Sequence, residues 1–92
     1  IAAVDGVDVL LVGPSDLSIN LDVTLEYRHA KYLDDLEKIG AAARRAGICA
    51  GMYFVPSGLA PEELIELGFR FFTLPWQRWA KAGIEEALKK IC

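Results

Sequence analysis

Ninety-two residues with 53% hydrophobic and 25% charged side chains describe one folded domain or a part of one, and they exclude a two-core protein, a disordered tail and a collagen-like repeat. Thirteen acidic residues against ten basic ones give a formal charge of -3, with no basic cluster beyond Arg44-Arg45 and Lys89-Lys90. That excludes a counterion-releasing nucleic-acid surface. No apolar run approaches the roughly 20 residues needed to span a bilayer, and the start has neither a basic n-region nor a cleavage pattern.

The apolar load is heavy for the size: four Phe, three Tyr, two Trp and many aliphatics on a chain that hides only about two-thirds of its unfolded surface. A missing partner, or a piece cut from a longer chain, is the expectation, and the absence of an initiating Met fits it. Cys49 and Cys92 show neither metal-ligand spacing nor the density of a disulfide scaffold, which suits a reducing cytoplasm.

Val7 to Val12 is a β-branched and aliphatic run between Asp5-Gly6 and Gly13-Pro14, and reads as a buried strand. Ser15 is placed to cap a single turn, and the segment from there to Arg28 shows no clear period, so a long loop is expected. Between Lys31 and Ala46 the apolar residues Tyr32, Leu33, Leu36, Ile39 and Ala43 fall three and four apart. This predicts an amphipathic helix stopped by a left-handed Gly47.

Ile48 to Val55 reads as a second strand, ended by Pro56-Ser57-Gly58. Pro61 opens a short helix from Glu62 to Leu67, closed by Gly68. Phe69 to Leu74 is a third strand stopped by Pro75. Gln77 to Ile91 places Ala80, Ile84, Leu88 and Ile91 along one stripe of a last helix.

Strands that read as continuous apolar runs, alternating with helices at near 30 residues per unit, point to parallel strands covered on both faces. A (β/α)8 barrel uses about 250 residues for eight such units, so the predicted fold is α/β: residues 1–92 as the last three βα units, the C-terminal part of a single TIM-barrel domain. A small open α/β layer is the alternative.

In such folds the reactive groups gather at the carboxyl ends of strands, and Gly13-Pro14-Ser15-Asp16 is the end with obvious tools. Gly13 and Pro14 turn the chain sharply, after which the amides of Ser15, Asp16 and Leu17 begin a helical turn and lack partners within it. Backbone donors there suit a carboxylate or phosphate, and the Asp16 carboxylate suits a divalent cation. The plainer alternative is that Asp16 only satisfies a helix start.

The run from Gly6 to Ser18 resembles the Gly-Pro-(Ala or Ser)-Asp-Leu-Ser signature of the HpcH/HpaI aldolase and citrate lyase family. The helix that follows, Ala46 to Gly51 and Leu67 to Phe71 continue the similarity in order. The resemblance implies a TIM barrel that uses a divalent metal (Mg2+, Mn2+ or similar) to bind pyruvate or a related 2-oxo acid, and makes or breaks a carbon-carbon bond with an aldehyde partner. It implies Asp16 as a metal ligand, the Ser15 and Asp16 amides as the carboxylate grip, and Gly13 and Pro14 as the residues shaping the turn.

The family's glutamate ligand, its arginine and its proton-transfer histidine have no counterpart here, so no catalytic residue is assigned within this segment and the segment alone is expected to be inactive. The full-length protein is expected to be a homo-oligomer. The rival reading is a non-catalytic half-barrel interaction module or a decayed paralogue. Departures from the family pattern are Thr73 to Gln77 at the end of the last strand and a loop from Asp22 to His29 without its usual glycine. Trp76 and Cys49 are expected to be packed in the interior, Arg70 to be an edge or salt-bridged residue, and His29, the single histidine, to serve at the surface or at a helix start.

Overall fold

The computed structural model describes residues 1–74 and 76–91; Pro75 and Cys92 lie outside the described residues. Chain order is β1 (Val9–Val12), α1 (Pro14–Asn20), α2 (Ala30–Ala46), β2 (Cys49–Met52), α3 (Pro61–Glu66), β3 (Phe69–Phe72) and α4 (Trp76–Ile91). The strands form a three-stranded sheet in the order β1-β2-β3, with both pairings parallel. Each strand is shorter than its apolar run because the ladder needs a partner at every rung, and the runs extend past the last paired residue.

In β1 and β2, Leu11 pairs with Gly51, and Gly51 pairs in turn with Phe71 of β3. These three therefore form one row on one face. The register between β2 and β3 slips at Ala50/Gly51, because Ala50 pairs with Phe69 and Gly51 with Phe71. Arg70 is the extra residue, and the bulge turns Phe69 to one face and Phe71 to the other. Phe69 is fully buried, whereas Leu11 and Phe71 are exposed. The expectation of strands covered on both faces is thus met on one face only: the helices cover Ala50, Met52 and Phe69, and the other face is bare.

Helix α2 follows its predicted stripe, with Tyr32, Leu36 and Ala43 in the core and Leu33 and Ile39 packed against it. His29 is its N-cap, its Nδ1 accepting the Lys31 N–H at 3.1 Å, and Gly47 closes it at φ 72°. Glycine at position 40 lets α2 approach the connection between α3 and β3: a Cβ there would overlap the Leu67 carbonyl oxygen. Arg28 ties the start of α2 to the β2–α3 connection and to α3, donating to the Gly58 carbonyl at 3.0 Å and to Glu63.

Three expectations need correction. Pro14 takes the first helical position with Gly13 as N-cap, so Ser15 is no cap and a seven-residue helix replaces the single turn; proline has no N–H to lose there and its fixed φ suits the start. Cys49 is exposed, because strand alternation puts it on the bare face with Gly51 and Leu11, opposite the helix-covered Ala50. Trp76 is 65% exposed rather than core, since α4 buries none of its residues. Arg70 is the edge residue expected, exposed on the edge strand β3; it forms no ion pair among the described residues, and its guanidinium donates to the carbonyls of Ile65 and Phe69. The radius of gyration, 16.0 Å, exceeds the about 12 Å expected of a compact chain this long, as an unpacked terminal helix requires.

Candidate functional site

The Gly13-Pro14-Ser15-Asp16 turn stands directly beyond the carboxyl end of β1, as the sequence requires. Gly13 is extended at φ -86° and ψ 105°, and from Pro14 onward the chain is helical. The Leu17 N–H is already taken by the Gly13 carbonyl at 3.0 Å, so Leu17 leaves the expected set of free donors. Ser15 and Asp16 remain: the residues four places back from them, Leu11 and Val12, belong to β1 and not to the helix, so their amides have no intrahelical partner.

Asp16 is exposed, and its carboxylate enters no ion pair or side-chain hydrogen bond among the described residues. It folds back over Gly13, where Asp16 Oδ2 lies 3.5 Å from the place a Cβ would occupy. Any side chain at 13 would fill the space beside that oxygen. The carboxylate faces an open cleft of about 630 Å³ walled by β1, α1 and α2, apolar apart from Asp16, Asn20 and Lys38. A separate cavity of about 550 Å³ lies at the carboxyl ends of β2 and β3, lined by Tyr53, Val55, Leu74, Trp76 and Trp79 among others. The two cavities share no residue, so this chain does not bring the aromatic wall and the Asp16 carboxylate into one pocket.

Beneath the turn lies a set of hydroxyls that the sequence pattern did not disclose. Tyr32 Oη donates to the Pro14 carbonyl at 3.1 Å. Ser18 Oγ donates to the Ser15 carbonyl at 2.7 Å and accepts the Leu25 N–H at 3.0 Å. Tyr27 Oη lies 3.3 Å from Ser15 Oγ, and the Tyr27 and Tyr32 rings meet edge to face at 5.4 Å. Burial, with lesser help from Tyr27 and Asp35, pushes the Tyr32 phenol well above its ordinary range, so it stays protonated and able to donate. The signal that could have found these residues is weak: two tyrosines and a serine whose polar atoms have no local partner to explain them.

Among the described residues no three His, Cys, Asp or Glu side chains converge. Asp16 alone is one oxygen ligand of the six or more that a hard divalent cation takes. Its chemistry fits such an ion, while the remainder of a ligand set is not among the described residues. No helix among them is long and apolar enough to cross a membrane.

A family model described as HpcH/HpaI aldolase/citrate lyase matches residues 1–76. A hydroxypyruvate/pyruvate aldolase of Paraburkholderia phytofirmans is 35% identical over 92 residues, covering 99% of this chain and 35% of the relative. A 4-hydroxy-4-methyl-2-oxoglutarate aldolase of Chaetomium globosum is 44% identical over 52 residues, 56% of this chain and 19% of the relative. The crystal structure of an HpcH/HpaI aldolase/citrate lyase family protein from Burkholderia cenocepacia superposes with a TM-score of 0.79 at 30% identity, over 99% of this chain and 35% of that one. The chain therefore spans 35% of the length of the relatives it matches end to end. A parallel sheet in sequential order, a turn with a carboxylate beyond its first strand, and a single family's pattern running through both have one common explanation: the chain belongs to the HpcH/HpaI aldolase/citrate lyase family.

Proposed function

We propose that this chain is the C-terminal part of a metal-dependent aldolase or lyase that makes or breaks a carbon-carbon bond beside a 2-oxo acid carbonyl. The observation that carries the reading is the turn after β1, where the Asp16 carboxylate folds over a side-chain-free Gly13 beside the Ser15 and Asp16 amides. Gly13 and Pro14 make the turn, the two amides hold the substrate carboxylate, and Asp16 serves as one ligand of a divalent cation. Such a cation, when bound, supplies Lewis-acid stabilisation of the negative charge that develops on the ketone oxygen. Amides rather than a lysine as the carboxylate grip suit this task, because their directions are fixed before substrate arrives.

The fold reading extends the same way. A sheet with strands in sequence order, both edges open, helices on one face and a bare apolar row of Leu11 and Phe71 on the other is what three units of a barrel would present, the bare face being the interior. The unpacked apolar stripe of α4, with Ile84, Leu88 and Ile91 exposed, supports association with a second copy in the full-length protein.

The test uses the full-length protein. Asp16→Asn is expected to reduce metal-dependent exchange of the pyruvate methyl protons with deuterated solvent by about a hundredfold or more, with the circular dichroism spectrum unchanged. Exchange at the wild-type rate removes Asp16 from the site. Leu88→Glu is expected to lower the mass in solution; an unchanged mass rejects the oligomer contact.

A further inference from the structure

We propose that Tyr32 and Ser18 are positioning residues for the substrate carboxylate, each aiming one amide donor of the β1–α1 turn by holding the carbonyl at the other end of the same peptide unit. The inference rests on the reading of that turn given above and assigns roles to residues outside it.

The peptide group is planar and trans, so its C=O and N–H point in opposite directions. The Pro14 carbonyl belongs to the same unit as the Ser15 N–H, and the Ser15 carbonyl to the same unit as the Asp16 N–H. Tyr32 Oη holds the first carbonyl at 3.1 Å; Ser18 Oγ holds the second at 2.7 Å. Gripping each oxygen from the core side directs each hydrogen outward, toward the side on which an anion can approach. A hydrogen bond at the carbonyl also polarises its peptide unit and strengthens the N–H as a donor.

Both hydroxyls are fixed in their turn. Tyr32 and Ser18 are each 0% exposed, so neither is drawn off by solvent. Ser18 accepts the Leu25 N–H, which commits its one proton to the Ser15 carbonyl. The Tyr32 ring is wedged by Tyr27, whose own hydroxyl reaches the Ser15 side chain. Placing hydroxyls in a core costs free energy unless they are bonded, and apolar side chains of the same shape would fill this space. The polar choice at two independent positions, each aimed at one of two successive carbonyls, is accounted for by the donors on the other side.

The experiment takes the full-length enzyme with Tyr32→Phe, Ser18→Ala and Asp16→Asn. Pyruvate and oxalate carry the carboxylate; methyl pyruvate lacks the charge. Loss of one aligned neutral hydrogen bond predicts a rise of roughly three- to tenfold in KM for pyruvate and in Ki for oxalate with each of the first two variants. kcat and the KM for methyl pyruvate stay at wild-type values. Unchanged KM and Ki overturn the proposal, and so does an equal loss toward methyl pyruvate, since a merely structural role would not tell the two substrates apart. Tyr32→Phe keeps the ring and decides the matter alone if Ser18→Ala does not fold. Full activity in Asp16→Asn defeats the reading of the turn itself; inactivity there with wild-type Tyr32→Phe defeats only this inference.

Discussion

Gly40→Ala is a case in which two opposing effects of known size meet, and the structure decides between them. Alanine in a helix interior is favoured over glycine by about 0.8–1 kcal/mol, so propensity alone predicts a more stable protein. At position 40, however, the added Cβ would overlap the Leu67 carbonyl oxygen and stand 3.2 Å from its carbon. The obstacle is backbone, in the short turn where Gly68 sits at φ 103°, and neither chain can yield by a rotamer change. Overpacking of this kind costs about 1–3 kcal/mol, so the net expectation is a loss of up to about 2 kcal/mol after the propensity gain is subtracted. Gly83 supplies the control: it lies in α4, and a Cβ there would meet nothing within 4 Å, so Gly83→Ala should be stabilising by the propensity amount. The assay is urea unfolding of the full-length protein, read as the shift of midpoint at constant slope. Equal stabilisation by the two substitutions would refute the close crossing of α2 and the α3–β3 turn, and with it the seating of α2 that places Tyr32 beneath Pro14.

Leu25 holds φ 59° while 60% exposed, so Leu25→Gly removes a left-handed cost of about 1–2 kcal/mol against a chain-entropy loss of about 0.5–1 kcal/mol. The full-length protein should gain up to about 1.5 kcal/mol; a lower thermal midpoint contradicts that. Asp22 has the same φ but a side chain that tolerates it, so Asp22→Gly should gain less. For Glu63, the Ala60 N–H and then Arg28 hold the carboxyl below its ordinary value. A depressed folded value means that this stabilisation is present above the unfolded value of 4.5 and is lost as pH falls through the folded one. The difference in urea midpoint between wild type and Glu63→Gln should therefore shrink on going from neutrality to strong acid, and a constant difference would exclude the bond.

What could be read from the sequence is what depends on near neighbours. Gly47 as a left-handed stop, His29 at a helix start, the Tyr32, Leu36, Ala43 stripe and the Gly13-Pro14 turn each rest on residues within a few positions of one another, and the structure has all of them. Misjudged features depend on distant partners. The loop from Leu21 to His29 has no period because its order comes from outside: Val23 and Tyr27 lie in the core, and the Ser18 hydroxyl holds the Leu25 N–H. Tyr32 reaches Pro14 across eighteen residues; in the sequence it is one more apolar member of a helical stripe. The strands stop short of their apolar runs for the same reason, since apolar character continues where pairing does not. At the site, the side chains of the turn were legible and their hydroxyl supports were not.

The bare face of the sheet offers a further discriminating test of the fold, because its two readings assign very different energies to one substitution. Leu11 is 49% exposed in this chain and shares its row with Gly51 and Phe71. If that face meets solvent in the whole protein, Leu11→Asp is a surface change and should fall within about 0.5 kcal/mol of wild type. If the row lines the interior of a closed barrel, the same change buries an unpaired carboxylate and should cost about 3–5 kcal/mol, enough to leave most single domains unfolded. Soluble, folded full-length Leu11→Asp would rule out the barrel interior on this face. Its loss to aggregates, with the conservative Leu11→Ile recovered intact, would assign the row to a core that the three strands of this chain supply only in part.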